Sequence, residues 1–484
     1  MDIITSCKKA FPDVNIPDIK RYYSEHINLW RDIFENNPPW RKVKRSGLYN
    51  KGFRRLKRLN TAKCLCDELS ALTFSEQCNI ALSDEKYQNY INKILEHNCF
   101  WDSLPEFITY AYALGGGCLK VYASNNKPCI DYVHADKFVP VEWTGKRITG
   151  GIFQSTICSN EYIYTICEKY GQTENCNKLF KSTSVEDIGY ECEFSELFKQ
   201  PIANYNSDVK MFGYFKPCVA NNAEYETPLG MSVYANAIDT LEALDIAFDS
   251  FSREFVLGKK RIIVPASAIQ TVVDTESGKL VRYFDADDEV FTALSTEDGE
   301  TQKIVDNTVV LRIEEHVAAI NAILNILCFQ VGLSAGTLSF DAVQGIKTAT
   351  EVISQDSKTA RTIKCNKNLL TETIEDVVHA VISLGVLLGD IPKADYKLTI
   401  GWQDNIIIDD NVLIDNNIKL VQAGLKSKLS AVMDVLKCDE ETAQKELERI
   451  SKEQSVSGLA VDDFLNGGED SDETGDDAAQ QGSE

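Results

Sequence analysis

The chain has 484 residues, 44% of them hydrophobic and 25% charged, enough for real cores and for about three domains of ordinary size. Lys and Arg number 50 against 73 Asp and Glu, a net charge of −23; that excess argues against a surface that grips DNA non-specifically, which needs clustered cations to release counterions from phosphates. The most apolar stretch, Val377 to Gly389, is 13 residues long and carries His379, short of the roughly 20 that a membrane-spanning helix needs.

Residues 1–114 read as mostly helical. Leu59 to Leu72 places Leu65, Leu69 and Leu72 near helical spacing, Asp84 to His97 reads as a second helix, and Asp102 is expected to cap a third that runs to Leu114 and stops at Gly115-Gly116-Gly117. The period then changes to two. Leu119–Tyr122, Ile130–Val133, Gly151–Ile157 and Tyr162–Cys167 read as short strands of an antiparallel sheet packed on those helices. Residues 171–210 are polar and poorly patterned and read as loops.

Thr227-Pro228 predicts a helix start, Thr as cap and Pro at the first helical position. The helix is expected to reach Leu257, a rod of roughly 45 Å at 1.5 Å per residue. Its apolar stripe is Val233, Ala237, Leu241, Leu244, Phe248, Phe251 and Phe255, with Asp239, Glu242, Asp245 and Asp249 elsewhere on its surface. Residues 259–313 read as a small β-rich insert, with strands over Arg261–Val264, Leu280–Phe284 and Thr308–Ile313. A helix over Glu314–Val331 ends at Gly332. The aperiodic 333–347 follows, then a capping box, Thr348-Ala-Thr-Glu351, opening a very long helix to about Leu388. A short β segment spans Tyr396–Ile408. Two helices come next, about Asp410–Gly424 and from about Ser430 to Lys452, with Asp439 as a cap for the last. The tail from Ser455 is disordered by composition, and from Val461 it holds nine acids and no base.

Catalytic patterns are missing from the sequence. There is no GxxxxGK[ST], GxSxG, HExxH or kinase set. The glycine triplet joins helix to strand, the reverse of a phosphate loop. Asp285-Ala-Asp-Asp-Glu289 lacks the Gly and distal Glu of a calcium loop. Fifteen cysteines without any CxxC, and five scattered histidines, point to reduced and mostly buried thiols rather than a metal site. Arg41 to Arg58 carries nine bases and no acid, with Trp40, Tyr49 and Phe53 interleaved. It reads either as a nucleic-acid contact or as a face that is solvated or paired with an acidic neighbour. Lys259, Lys260 and Arg261 follow the first long helix, where cations complement its dipole.

Element order says more than any site. A long helix leaves a domain, a β insert follows, a second helix returns, and a loop leads into a very long helix. Such a helix pair needs lateral partners to bury its sides, which suggests a ring of identical subunits.

Here the sequence resembles the portal proteins of tailed bacteriophages of Gram-positive hosts. The likeness lies in LNTAKCLCDELSALTF (59–74), ALGGGCLKVY (113–122), PLGMSVYANAIDTLEALDIAFDS (228–250) and RIEEHVAAINAILNILCFQVGLSAGTLSFDAVQGIKTATEV (312–352), and in their order over about residues 40–450. The resemblance implies an α+β portal-type fold. Its wing would take 1–227 and 348–408, with stem helices at 228–257 and 314–332 and a clip at 258–313. A tunnel loop at 333–347, crown helices at 409–454 and an acidic tail at 455–484 complete it. It implies a ring, usually of about twelve subunits, at one capsid vertex, conducting double-stranded DNA. The implied partners are the terminase large subunit, head–tail connector proteins, and major capsid and scaffold proteins. It further implies assembly in the host cytoplasm, residence in the virion, no membrane, no cofactor and no catalysis. Leu338, Ser339, Phe340, Asp341, Gln344 and Lys347 would belong to the channel constriction. Glu242, Asp245 and Asp249 would be candidates for an acidic channel field that lets DNA slide, and Lys259, Lys260 and Arg261 would form the clip base. Two other readings are a monomeric or dimeric helical adaptor and a metal-dependent nuclease using Asp285–Glu289.

Overall fold

The computed structural model describes residues 2–44, 52–74, 77–159, 161–171, 175–198, 209–258, 262–263, 270–273, 280–283, 305–306, 310–340, 349–402, 410–436 and 442–451. The chain divides into two compact units rather than three, Met1–Gln403 and Asp404–Glu484.

The first unit opens with α1 (Ile3–Ala10), capped by Asp2, then a π-helical turn leading into α2 (Asn28–Phe34). A two-stranded ribbon follows, β1 (Lys42–Lys44) with β2 (Phe53–Arg55). Next come α3 (Thr61–Thr73), β3 (Asn79–Leu82), α4 (Glu85–His97) and α5 (Phe100–Leu114). Asp84 caps α4 as expected. Asp102 does not cap α5: the helix starts from Cys99, in the left-handed region, and Asp102 lies in the first turn, where its charge meets the helix dipole.

Helix α5 is the centre of the core. Phe100, Leu104, Ile108 and Tyr112 recur at four-residue steps and are fully buried, with Ala111 buried beside them. Gly115 ends it at φ +86°, and a Cβ there would meet the Met231 backbone at 2.9 Å, so both conformation and space demand glycine.

The strands then run β4 (Gly117–Ser124), β5 (Lys127–His134), β6 (Phe138–Thr144), β7 (Arg147–Ser159), β8 (Tyr162–Tyr170), β9 (Asn175–Ser182), β10 (Tyr190–Cys192) and β11 (Phe212–Phe215). They form two antiparallel sheets, ordered β10-β9-β8-β7-β6 and β11-β4-β5. Part of the stretch read as loops is therefore sheet: β9 pairs with β8 from Tyr170↔Asn175 to Ile163↔Ser182. Its inward positions include Asn175 and Asn177, so the strand carries no apolar alternation. Lys120 on β4 reaches Glu168 on β8 at 2.6 Å, with both side chains 8% exposed, and ties the two sheets together.

The helix expected from Pro228 begins ten residues later, as α6 (Ile238–Leu257). The backbone before it is engaged elsewhere. Asn221 donates to the carbonyls of Leu229 and Gly230, Tyr22 also donates to Gly230, and the Gly230 amide donates to Tyr214 at 3.1 Å. Groups bonded sideways in this way are not free to make helical i to i+4 bonds. Of the β insert, the described pieces are β12 (Ile262–Ile263), β13 (Gln270–Val273), β14 (Leu280–Tyr283) and β15 (Val305–Asp306), in two antiparallel pairs, β12 with β15 and β13 with β14. The strand read over Thr308–Ile313 is not seen in its described part: residues 310–312 belong to no strand, and α7 (Ile313–Val331) begins at Ile313.

Helix α8 (Ala349–Leu388) is 40 residues long and ends where the sequence places it. Leu370, Ile374, Val377, Val378 and Val381 are buried, and α8 packs on β11 and β4. A Cβ on Gly213 would lie 2.4 Å from the Thr373 carbonyl, so glycine sets that close approach. β16 (Leu398–Gly401) returns to pair with β3. A disulfide joins Cys218, just past β11, to Cys365 on α8, with Cα atoms 6.0 Å apart; this corrects the expectation of thiols alone. Among the described free cysteines Cys7, Cys66, Cys78, Cys118, Cys167 and Cys328 are buried, but Cys64, Cys99 and Cys158 are exposed, so burial is less general than expected; burial pushes Cys7, Cys66, Cys118 and Cys167 above the usual thiol range.

The second unit holds α9 (Asp410–Gln422), which Gly424 follows in the left-handed region, α10 (Lys428–Leu436) and a further helix over 442–451. The cap expected at Asp439 lies outside the described residues. No described helix is long and apolar enough to cross a membrane.

Candidate functional site: the paired helices and the loop that follows them

Helices α6 and α7 lie antiparallel, as their end contacts require. Thr240 bonds Gln330 at 2.8 Å at one end, and Arg312 forks onto Glu254 at 3.1–3.2 Å at the other. Leu241 and Leu244 on α6, and Ile320, Leu324, Leu327 and Val331 on α7, are buried. Toward the Glu254 end an aromatic group takes over. Phe251 meets Phe255 and His316 edge-on, with ring centroids 5.2 and 6.0 Å apart. His316 also lies 3.7 Å from Glu254, which accounts for it without a metal. Among the described residues no group of His, Cys, Asp and Glu could hold a metal ion. The Asp285–Glu289 cluster lies outside them.

The acids of α6 do not sit as the sequence suggested. Asp245 and Asp249, one turn apart, are buried rather than on an open face. Asp245 accepts from the Trp40 indole at 2.8 Å and the Leu59 amide at 3.2 Å. Asp249 accepts a two-point contact from Arg54 at 2.6 and 2.7 Å and the Lys57 amide at 3.1 Å. Burial raises the Asp245 carboxyl above its ordinary range, against the pull of Trp40 and Leu59. Burial also pushes Asp249 up, but Arg54 and the Lys57 amide outweigh it and hold that carboxyl below the usual range. Glu242 is half-buried.

The basic stretch 41–58 thus resolves in part to its paired alternative. The ribbon β1–β2 and the segments flanking it clasp α6 through Trp40, Arg54 and the Lys57 and Leu59 amides. The sequence signal was the juxtaposition of one basic run and one helix acidic at i, i+4. Trp40 and Arg54 were visible only as members of the run.

The loop after α7 begins at Gly332, φ +83°, whose carbonyl accepts from Thr362 at 2.7 Å. The Ser334 amide donates to Thr359 on α8 at 2.9 Å. The chain then turns back along α7. The Gly336 amide donates to Asn325 at 2.9 Å, and the Phe340 amide to Asn321 at 2.8 Å. Phe340 lays its ring against Phe248 and Phe251, with centroids 6.5 and 6.0 Å away. Leu338 is half-buried against the core and Ser339 is exposed. Asn321 and Asn325 were missed from sequence, although two amides at i, i+4 inside an otherwise apolar helix are a legible signal. Asp341, Gln344 and Lys347 of the loop, and Lys259, Lys260 and Arg261 after α6, lie outside the described residues.

The family described as "Phage portal protein, SPP1 Gp6-like" matches residues 15–457. No curated protein matches the chain. Among solved structures, a chain of one titled "Virion of native gene transfer agent (GTA) particle" is 12% identical, with 77% of this chain and 88% of that chain covered and a TM-score of 0.35. That likeness is too loose to decide anything about this chain.

Proposed function

This chain belongs to the family of SPP1 Gp6-like phage portal proteins, a structural family without catalysis that serves DNA packaging, and we propose that it forms a ring of about twelve copies at one capsid vertex. Double-stranded DNA enters the capsid through that ring under the drive of a terminase and later leaves by the same path. Connector proteins dock on the same ring after packaging, and scaffold and major capsid proteins surround it in the virion. In this reading α6 and α7 are the stem, so the first stem helix is 238–257 rather than 228–257, and the segment between the two is the clip. The loop from Leu333 is the tunnel loop, with Leu338, Ser339 and Phe340 in its described half and Asp341, Gln344 and Lys347 in the rest. The second unit forms the crown.

The observation that carries the reading is the family match, which spans both helices, the insert and the loop in one run. The helix pair supports it physically. Ile246 on α6, and Ile326 and Phe329 on α7, are exposed, as suits helices whose flanks meet neighbouring copies. Asp245 and Asp249 face the ribbon, so the acidic field that keeps DNA sliding falls to other groups. Glu242 remains a candidate, joined by the exposed Asp239.

The test is the mass and shape of the purified protein, alone and with scaffold and capsid proteins, by light scattering and negative-stain microscopy. A closed particle of about a dozen subunits with a central hole is expected. A protein that stays monomeric or dimeric in every mixture would sink the reading in favour of a helical adaptor.

A further inference from the structure

The ribbon that clasps α6 has a second face. Its register sets Lys42 directly across from Arg55, and Lys44 across from Phe53. Residues opposite each other in an antiparallel pair lie on the same side, so these four share one face, while Arg54 on the other reaches Asp249. All four are exposed, Phe53 at 67%. Among the described residues, no hydrogen bond or ion pair engages the three cations. Like charges placed directly across a ribbon destabilise it. The arrangement lowers its energy when an anionic surface covers the face.

The occupant must be acidic and must also offer an apolar seat for Phe53. The outer side of α7 has both. Glu314 and Glu315 are exposed in its first turn, and Ala319, Ala322, Ile326 and Phe329 follow at alternating three- and four-residue steps, all exposed. The two faces lie on one chain, but the ribbon's outer face points away from the helix that it clasps, so the match is between copies. A contact between two different patches of identical chains is the head-to-tail kind that closes into rings. A duplex DNA backbone would satisfy the cations but gives Phe53 no apolar seat.

We propose that the outer face of the β1–β2 ribbon (Lys42, Lys44, Phe53, Arg55) docks on the outer side of α7 (Glu314, Glu315, Ile326, Phe329) of a second copy of this chain. The proposal rests on the ring reading and gives one of its seams a specific chemistry. The ribbon then works as a strap: its inner face holds the α6 of its own subunit and its outer face holds the neighbour.

The test uses the full chain and compares the wild type with three variants. One is Lys42→Glu/Lys44→Glu/Arg55→Glu, one is Glu314→Lys/Glu315→Lys, and one combines both sets. Ring fraction is read by mass photometry against protein and salt concentration, with duplex DNA retention measured on the same samples. The proposal expects each single set to raise the protein concentration for half-assembly about tenfold or more, and the combined set to recover most of the loss. Wild-type assembly should weaken as salt rises. Recovery in the combined variant excludes simple misfolding as the cause. If wild type forms rings and all three variants match it, the strap is overturned and the ring reading stands. If the ribbon set loses only DNA retention, the face belongs to a polyanion and the proposal falls. If wild type forms no ring under any condition, the ring reading fails and takes the strap with it.

Discussion

The sheet-and-helix body of the first unit and its α6–α7 pair treat their surfaces differently. In the body, large side chains close on each other: Phe138 is fully buried against Phe153, Phe212 and Tyr214, and the buried Lys120 has Glu168 as its partner. On the helix pair, Asp245 and Asp249 are buried and paired while Ile246, Ile326 and Phe329 are exposed, Phe329 at 75%. A body of the first kind is complete as a single chain. A pair of the second kind is completed by something outside it, and the lesson is to look for function where apolar groups are out and charged groups are in.

The contrast can be broken or sharpened by mutation. The largest loss is expected from Phe138→Ala, about 3–5 kcal/mol of unfolding free energy by denaturant titration, because three rings lose a common neighbour. Glu168→Ala should cost about 2 kcal/mol by the same measurement, since it leaves the buried Lys120 ammonium only the half-exposed Asp131, 3.4 Å away. Asp249→Asn should cost about 1.5–3 kcal/mol near neutral pH by removing the two-point Arg54 contact. It should also flatten the acid limb of the stability curve. The folded carboxyl titrates below its unfolded value, so its contribution is full above the ordinary Asp range and is lost as pH falls through the lower folded value. Asp245, raised by burial, has the opposite sign, so loosening of the ribbon, followed by Trp40 fluorescence, should track Asp249. Asn321→Ala should cost about 1 kcal/mol and raise proteolytic cleavage within 334–340, because the Phe340 amide loses its acceptor. Phe329→Ser should cost the monomer no more than about 1 kcal/mol, the loss of an exposed ring under the Lys358 ammonium 4.5 Å away, while weakening assembly, the clearest separation of the two regions.

Much of this was legible in the sequence, for definite reasons. Helices α4, α7 and α8 end where glycine, capping and periodicity place them, because their signals are local. The α6 start was misread because Pro228 is a good first helical residue only if the carbonyls after it are free, and here side chains from residues 22 and 221 take them. Strand β9 hid because its buried face carries asparagines. The exposure of Asp245 and Asp249 was not decidable from one helix. Their partners lie near residues 40–59, nearly 200 positions away, and only the fold brings the basic run to the acidic turn.

The most direct measurement is hydroxyl-radical footprinting of Ile326 and Phe329 in assembled and dissociated protein. The account predicts that both side chains are readily oxidised in the free chain and become strongly protected in the closed particle, while Phe138 stays protected in both. Equal oxidation of Ile326 and Phe329 in a closed ring would contradict it, since the helix pair would then remain uncovered in the very assembly meant to complete it.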